Sequence, residues 1–327
     1  VTLSEAAALT AADRDALEAW AIGPLTAART PASGTINRTL LVDTPGGSYA
    51  LRAYRHGERA PVEREHEVIA YARAHGLPAV APLPLPDGAT ILERAGRFYA
   101  LFPRAAGSQI ERDDLGTAEV AAMGRCLAAL HRALRDYPAE RAQRRSFAVD
   151  GQAVLERIIA LGQAIRARPT LDDADRRALA ALAGRREWIE QYGAFSPGDL
   201  AALEQQLIHG DYQHTNLFFE RGDISAIIDW DQTYLAPRAW EIARAMHLVW
   251  NFAAEPCRIF LAAYRAELPL PDAELDLAAT YYGWFRAHDL WLYEAIYQQG
   301  NQRVRVFVES NGFAPLIDRW AELRAVL

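Results

Sequence analysis

A chain of 327 residues is longer than one hydrophobic core usually organises, so two lobes are the natural expectation. With 51% hydrophobic and 24% charged residues it is not a disordered chain, and a formal charge of −7 argues against a general nucleic-acid binder, which must meet phosphates with a basic face. Its apolar stretches are broken by charge short of the roughly twenty residues of a membrane helix, and no basic segment leads into an apolar signal core, so a cytoplasmic protein without membrane partners is expected.

Thr10 precedes an alanine-rich run with Asp13 and Asp15 placed early, a helix start that Gly23 and Pro24 close. Residues 39–43 and 49–54 flank a Thr-Pro-Gly-Gly-Ser turn and read as a hairpin. Pro61 opens a helix that carries Glu65 and ends at Gly76. Extended runs at 90–93 and 97–102 complete a small antiparallel sheet ending at Pro103, the expected hinge. The hinge divides the chain into a lobe of residues 1–103 and a lobe of residues 104–327. The first is nearly balanced in charge, so the acidic excess belongs to the second. That excess is compatible with a cationic substrate and equally with solvated helix faces.

Beyond the hinge, Ala118, Val120, Met123, Leu127, Leu130 and Leu134 recur at helical separations, and the second lobe is expected to be mostly α. Residues 154–166 and 172–192 read as an inserted helical pair that ends at Ser196-Pro197-Gly198. Cys126 and Cys257 stand in helical contexts as small buried hydrophobes, not as a disulfide or zinc framework. Near the C-terminus, Tyr281, Phe285, His288 and Leu292 recur as one buried helix face, a simpler reading of the aromatic density than a cage for a quaternary ammonium. Asp289 and Glu294 are candidates for recognising an acceptor.

The chemistry concentrates in His209-Gly210-Asp211-Tyr212-Gln213-His214-Thr215-Asn216 and in Ile227-Ile228-Asp229-Trp230-Asp231. Asp211 and Asn216 have the Asp-x-x-x-x-Asn spacing of a kinase catalytic loop, where the aspartate receives a hydroxyl proton and the asparagine oxygen holds magnesium. Two β-like runs and a turn at 220–223 form a hairpin that returns Asp229 beside Asn216, so two oxygen ligands converge on one cation. His209 is expected to brace the loop rather than touch phosphate. His214 either approaches substrate or is solvated, and Asp231 either assists the metal or is exposed.

These segments resemble the aminoglycoside phosphotransferase and choline kinase superfamily, near its type II homoserine kinases and its bacterial stress-response kinase. The resemblance runs from about Gly34 to about Trp250 and implies an α+β, bilobal protein-kinase-like fold. In that comparison the turn at 33–39, with Gly34, covers the nucleotide, and the strand at 49–52 carries the phosphate-binding cation. The sequence holds no lysine, so Arg52 takes that position. Arginine is planar, bulkier than an ammonium and able to grip phosphate bidentately. Alternatively, Arg52 is a surface charge on an edge strand. Glu65 matches the glutamate that pairs with the cation, Phe102 and Arg104 bracket the adenine side of the hinge, and Glu241 either takes the place of an aspartate that braces the catalytic loop from below or faces the surface. The resemblance therefore implies transfer of the ATP γ-phosphoryl group, with Mg2+, to a hydroxyl of a small metabolite or aminoglycoside-like acceptor. A protein serine/threonine kinase and a nucleotide-binding pseudokinase are the alternatives.

Overall fold

The first described helix, α1 (Ala11–Glu18), begins in a reciprocal cap: the Thr10 hydroxyl accepts the Asp13 N–H at 3.2 Å, and Asp13 accepts the Thr10 N–H at 2.8 Å. The computed structural model describes residues 9–31, 37–55, 57–193, 195–308 and 312–327. Ala16 and Leu17 of α1 pack onto Leu40, Val42, Leu51 and Leu101 of a five-stranded antiparallel sheet. The sheet is built from β1 (Ala27–Arg29), β2 (Arg38–Thr44), β3 (Gly47–Ala53), β4 (Leu92–Arg94) and β5 (Arg97–Pro103), in the order β1-β2-β3-β5-β4. The expected hairpin forms with a tighter turn, Thr44 pairing with Gly47. Helix α2 (Arg59–Ala74) buries Val62, Glu65, Ile69 and Ala72, one stripe at helical spacing.

The two parts of the molecule are joined through backbone as well as side chains. The segment after α2 lies along the hairpin of residues 217–227, Ile227 donating to the Pro78 carbonyl at 2.8 Å and Val80 to that of Ile227 at 3.2 Å. After β5, Ser108 and Phe219 exchange backbone hydrogen bonds of 3.0 and 2.8 Å.

The remainder is helical apart from two short β-pairs. Helix α3 (Thr117–Leu134) crosses closely over α7 (Ala254–Glu267). A Cβ at Gly124 would come within 2.4 Å of the Phe260 carbonyl oxygen, so this crossing requires glycine. The inserted pair α4 (Gly151–Arg166) and α5 (Asp173–Tyr192) packs with α8 (Asp272–His288) and α9 (Trp291–Tyr297) in a core of its own. Helix α10 (Leu316–Arg324) packs against α8.

The single helix face expected through Leu292 is interrupted. Asp289 leaves the helix, and its carboxylate accepts the Trp291 N–H at 3.0 Å, starting α9 in a new direction. Tyr282 and Tyr293 are buried, and Trp240 meets Tyr282 and Phe285 edge-on, so these rings serve as core. Among the described residues no helix is long and apolar enough to cross a membrane.

Candidate active site

Strand β6 (Gln206–Ile208) pairs with β9 (Tyr234–Ala236) and delivers the chain to His209. Helix α6 (Arg238–Trp250) follows β9 and carries Glu241 directly beneath that loop. The fully buried Glu241 carboxylate accepts the backbone N–H of His209 at 3.1 Å and of Gly210 at 2.5 Å, and meets His131 of α3 at 3.0 Å. The loop is thus braced from below by a glutamate. Gly210 has φ +81°, and a Cβ there would stand 2.0 Å from the Gln232 carbonyl oxygen.

The Asp211 N–H points at His209 Nδ1 (3.3 Å), so the proton of a neutral His209 ring resides on Nε2, which donates to the Ile228 carbonyl at 3.0 Å. His209 consequently ties the loop to the end of the hairpin. Both oxygens of Asp211 are engaged: Arg244 Nη2 donates to Oδ1 at 2.9 Å, while Gln213 and Asn216 donate to Oδ2 at 2.9 and 3.0 Å. Asn216 also bonds the Asp211 carbonyl at 2.8 Å.

The hairpin is formed by β7 (Leu217–Glu220) and β8 (Asp223–Ile227), turning through Arg221 and Gly222 at positive φ of 54° and 82°. Ile228 donates to the Asn216 carbonyl at 3.0 Å, which brings the neighbouring Asp229 to the side of Asn216. Asp229 is left-handed (φ 65°, ψ 61°), a conformation aspartate tolerates better than most residues, and the bend turns the chain into the short turn Trp230–Gln232.

Arg52 lies on β3, between β2 and β5, with only 12% of its side chain exposed, so it is not an edge-strand surface charge. Its Nη1 donates to Glu65 at 2.9 Å, and its Nη2 to Asp229 at 2.6 Å and Asp231 at 3.0 Å. Asn37 also donates to Asp231, at 2.9 Å. Three carboxylates therefore share one guanidinium. Burial opposes the charge of Arg52, but the three acids hold its pKa above the ordinary arginine value. Burial, with repulsion from Asp231 and Asp229, pushes the Glu65 carboxyl up to about 7 against the pull of Arg52. Burial and Asp229 likewise raise the pKa of Asp231. Arg52→Ala is expected to cost about 3 kcal/mol in urea unfolding, the usual result of stripping a buried charge of its partner. A cost below about 1 kcal/mol would show that Glu65 is carried neutral in the fold.

A model of the phosphotransferase enzyme family matches residues 27–279. The chain belongs to the phosphotransferase enzyme family. It is 31% identical over 266 residues to a homoserine kinase from Xanthobacter autotrophicus, an alignment covering 79% of this chain and 77% of that relative. Its fold is similar to that of an aminoglycoside phosphotransferase from Alicyclobacillus acidocaldarius (TM-score 0.57, 15% identity, 99% of this chain and 92% of the other). It is similar also to amicoumacin kinase hAmiN, solved with AMP-PNP, Ca2+ and Ami (TM-score 0.58, 18% identity, 97% of each chain). The α+β, protein-kinase-like fold implied by the motifs is thus the fold of this chain, and the phosphotransferase is an ATP-dependent kinase with an alcohol group as acceptor.

Within this phosphotransferase the residues singled out by sequence do not all meet. Arg52, Glu65, Asp229 and Asp231 form one cluster, and Asp211 and Asn216 another beside it. Phe102 pairs with Ala50 and Ala100 with Arg52, so Phe102 shares the sheet face of Arg52 one pleat along. Arg104 is exposed; its N–H continues the ladder to the Ser48 carbonyl at 2.9 Å. Gly34 lies outside the described residues. His214 is half-buried near Glu111, Arg112 and Asp113, where burial lowers its pKa, and its Nδ1 is buried without a hydrogen-bond partner. Asp289 is paired with Arg286, and Glu294 receives Arg157 Nε at 2.7 Å.

Sequence reasoning passed over Arg244, although it stands three residues after Glu241, one helical turn along and facing the same loop. It also passed over Asn37 and Gln213. A magnesium ion fits the donor set. The Asn216 amide nitrogen is committed to Asp211, which leaves its oxygen as the free donor, and the carboxylates around Arg52 outnumber the cation three to one. Among the described residues no group of three or more His, Cys, Asp or Glu is placed to hold a metal.

Proposed function

We propose that the chain transfers the γ-phosphoryl group of ATP, in the presence of Mg2+, to a hydroxyl of a small metabolite. The observation that carries this reading is the Asp211 carboxylate, held by Arg244, Gln213 and Asn216, with the Ile228–Asn216 backbone bond bringing Asp229 to the side of Asn216. In this reading Asp211 orients the acceptor hydroxyl and takes its proton late in the transfer. Asn216 and Asp229 would hold the metal, which when bound would neutralise charge on the phosphoryl group being transferred. Arg52, kept in place by Glu65, turns from the aspartates to the phosphates. Phe102 and Arg104 border the adenine, so residues 1–103 form the nucleotide lobe and residues 104–327 the lobe for catalysis and acceptor binding. Positioning and charge neutralisation then account for most of the rate.

A cavity of about 230 Å3 between α4 and α8 supports a small acceptor; it is lined by Ser146, Asp150, Arg157, Phe285, His288 and Asp289. A screen of hydroxylated metabolites and aminoglycosides, read as ADP release, tests the reading. Label from ATP entering protein instead would favour the protein-kinase alternative, and nucleotide binding without any transfer the pseudokinase. Asp229→Asn is expected to raise the Mg2+ concentration for half-maximal ADP release by about tenfold or more, since a carboxylate ligand becomes a neutral one. An unchanged Mg2+ requirement would remove Asp229 from the metal site.

A further inference from the structure

The acceptor side of Asp211 is cationic. Arg244 approaches from α6 with its guanidinium on Oδ1 at 2.9 Å, and its Nε is buried without a hydrogen-bond partner. Arg145 approaches from the segment before α4. Its guanidinium carbon stands 5.4 Å from the centroid of the Tyr234 ring and 5.7 Å from that of Phe285. Tyr234 packs under the catalytic loop, since a Cβ on Gly210 would come within 2.8 Å of its ring, and Phe285 lines the 230 Å3 cavity. Arg145 therefore stands over one ring packed under the loop and one ring that lines the cavity.

Arg145 is exposed, and among the described residues no carboxylate lies within ion-pair distance of it. Other charges near the cavity are spoken for. Arg286 is paired with Asp289, Arg157 with Glu294, and Asp150 caps α4 by accepting the Ala153 N–H at 3.1 Å. Both guanidinium groups act on the Tyr234 phenol: burial raises its pKa, and Arg244 and Arg145 oppose that rise. The acidity of the second lobe as a whole is thus not the field at this point.

We infer that Arg145 and Arg244 form a receptor for a carboxylate carried by the phosphate acceptor, whose class is a small hydroxylated carboxylic or amino acid. This rests on the phosphotransfer reading above. A planar guanidinium matches a carboxylate through paired N–H donors. Arg144 and Arg145 are adjacent in sequence, but only Arg145 stands over these rings. Arg244 has a further role: in the absence of acceptor it occupies Asp211 Oδ1, the oxygen a hydroxyl would need. An arriving carboxylate competes for Arg244 and loosens that contact, so the acceptor frees its own proton acceptor. Arg145 is then a specificity residue, and Arg244 a positioning residue that couples acceptor charge to Asp211.

The test uses the full chain with saturating magnesium-ATP and two matched pairs, L-homoserine against L-homoserinamide and D-glycerate against glycerol. Binding is titrated separately with a non-hydrolysable ATP analogue present. The wild type is expected to prefer the carboxylate of at least one pair by about tenfold or more in kcat/KM and in Kd, the range of a charged hydrogen bond. Arg145→Gln should shrink that ratio about tenfold, mainly through KM, and Arg244→Lys should lower kcat more than it raises KM. Equal use or binding of carboxylate and neutral partners in both pairs, or a preference that survives Arg145→Gln, overturns the inference. Transfer without preference leaves the kinase reading standing, whereas carboxylate binding without ADP release from any acceptor would count against that reading and not against the receptor.

Discussion

Asp211→Asn is expected to lower kcat by about a thousandfold, within the usual range for loss of a general base, while the Kd for magnesium-ATP changes by less than about twofold. The substitution is nearly isosteric, so Gln213 and Asn216 keep an oxygen to donate to. Arg244, however, loses its anionic partner at 2.9 Å, and the variant should be somewhat less stable than the parent. Pre-steady-state mixing with a turned-over acceptor separates the two effects, because a folding defect lowers the active fraction whereas loss of the base slows each turnover. If the asparagine variant turned over within about tenfold of the parent, Asp211 would not be the proton acceptor, and the loop would have to act by positioning alone.

Glu241→Ala should be the most damaging change to the fold near the site. It leaves the N–H groups of His209 and Gly210 and the ring of His131 without their shared carboxylate, all within a fully buried layer. Each unsatisfied buried donor costs about 1–3 kcal/mol, so a total near 4 kcal/mol is expected in denaturant unfolding. Turnover should collapse with it, since His209 also holds the end of the hairpin through the Ile228 carbonyl. Glu241→Asp keeps the charge and shortens the reach by about one methylene, and should recover part of both losses. Near-native stability of the alanine variant would mean that water replaces the carboxylate and that the brace is dispensable.

Asp211, Asn216 and Asp229 were legible because their geometry is local: a four-residue gap and a short hairpin set their separation whatever surrounds them. The hairpin turn shows the same thing, since Arg221 and Gly222 adopt the positive φ that a two-residue β-turn demands. The break at Asp289 was not legible, because helical spacing continues through a kink that a single side chain creates by capping the next helix.

The order of strands and helices, the loop that carries Asp211 and, from the absence of lysine, the identity of any phosphate-gripping cation on β3 as Arg52 were set by the sequence alone. Only the tertiary structure decided what these groups touch. Arg52 reaches Asp229 across 177 positions, Asn37 reaches Asp231 across 194, and Arg244 comes under Asp211 because of how α6 crosses the loop. The reason is physical: spacing along a strand or helix sets which side chains share a face, whereas the partner of a charge depends on packing angles between elements, which the buried side chains of the whole core set together.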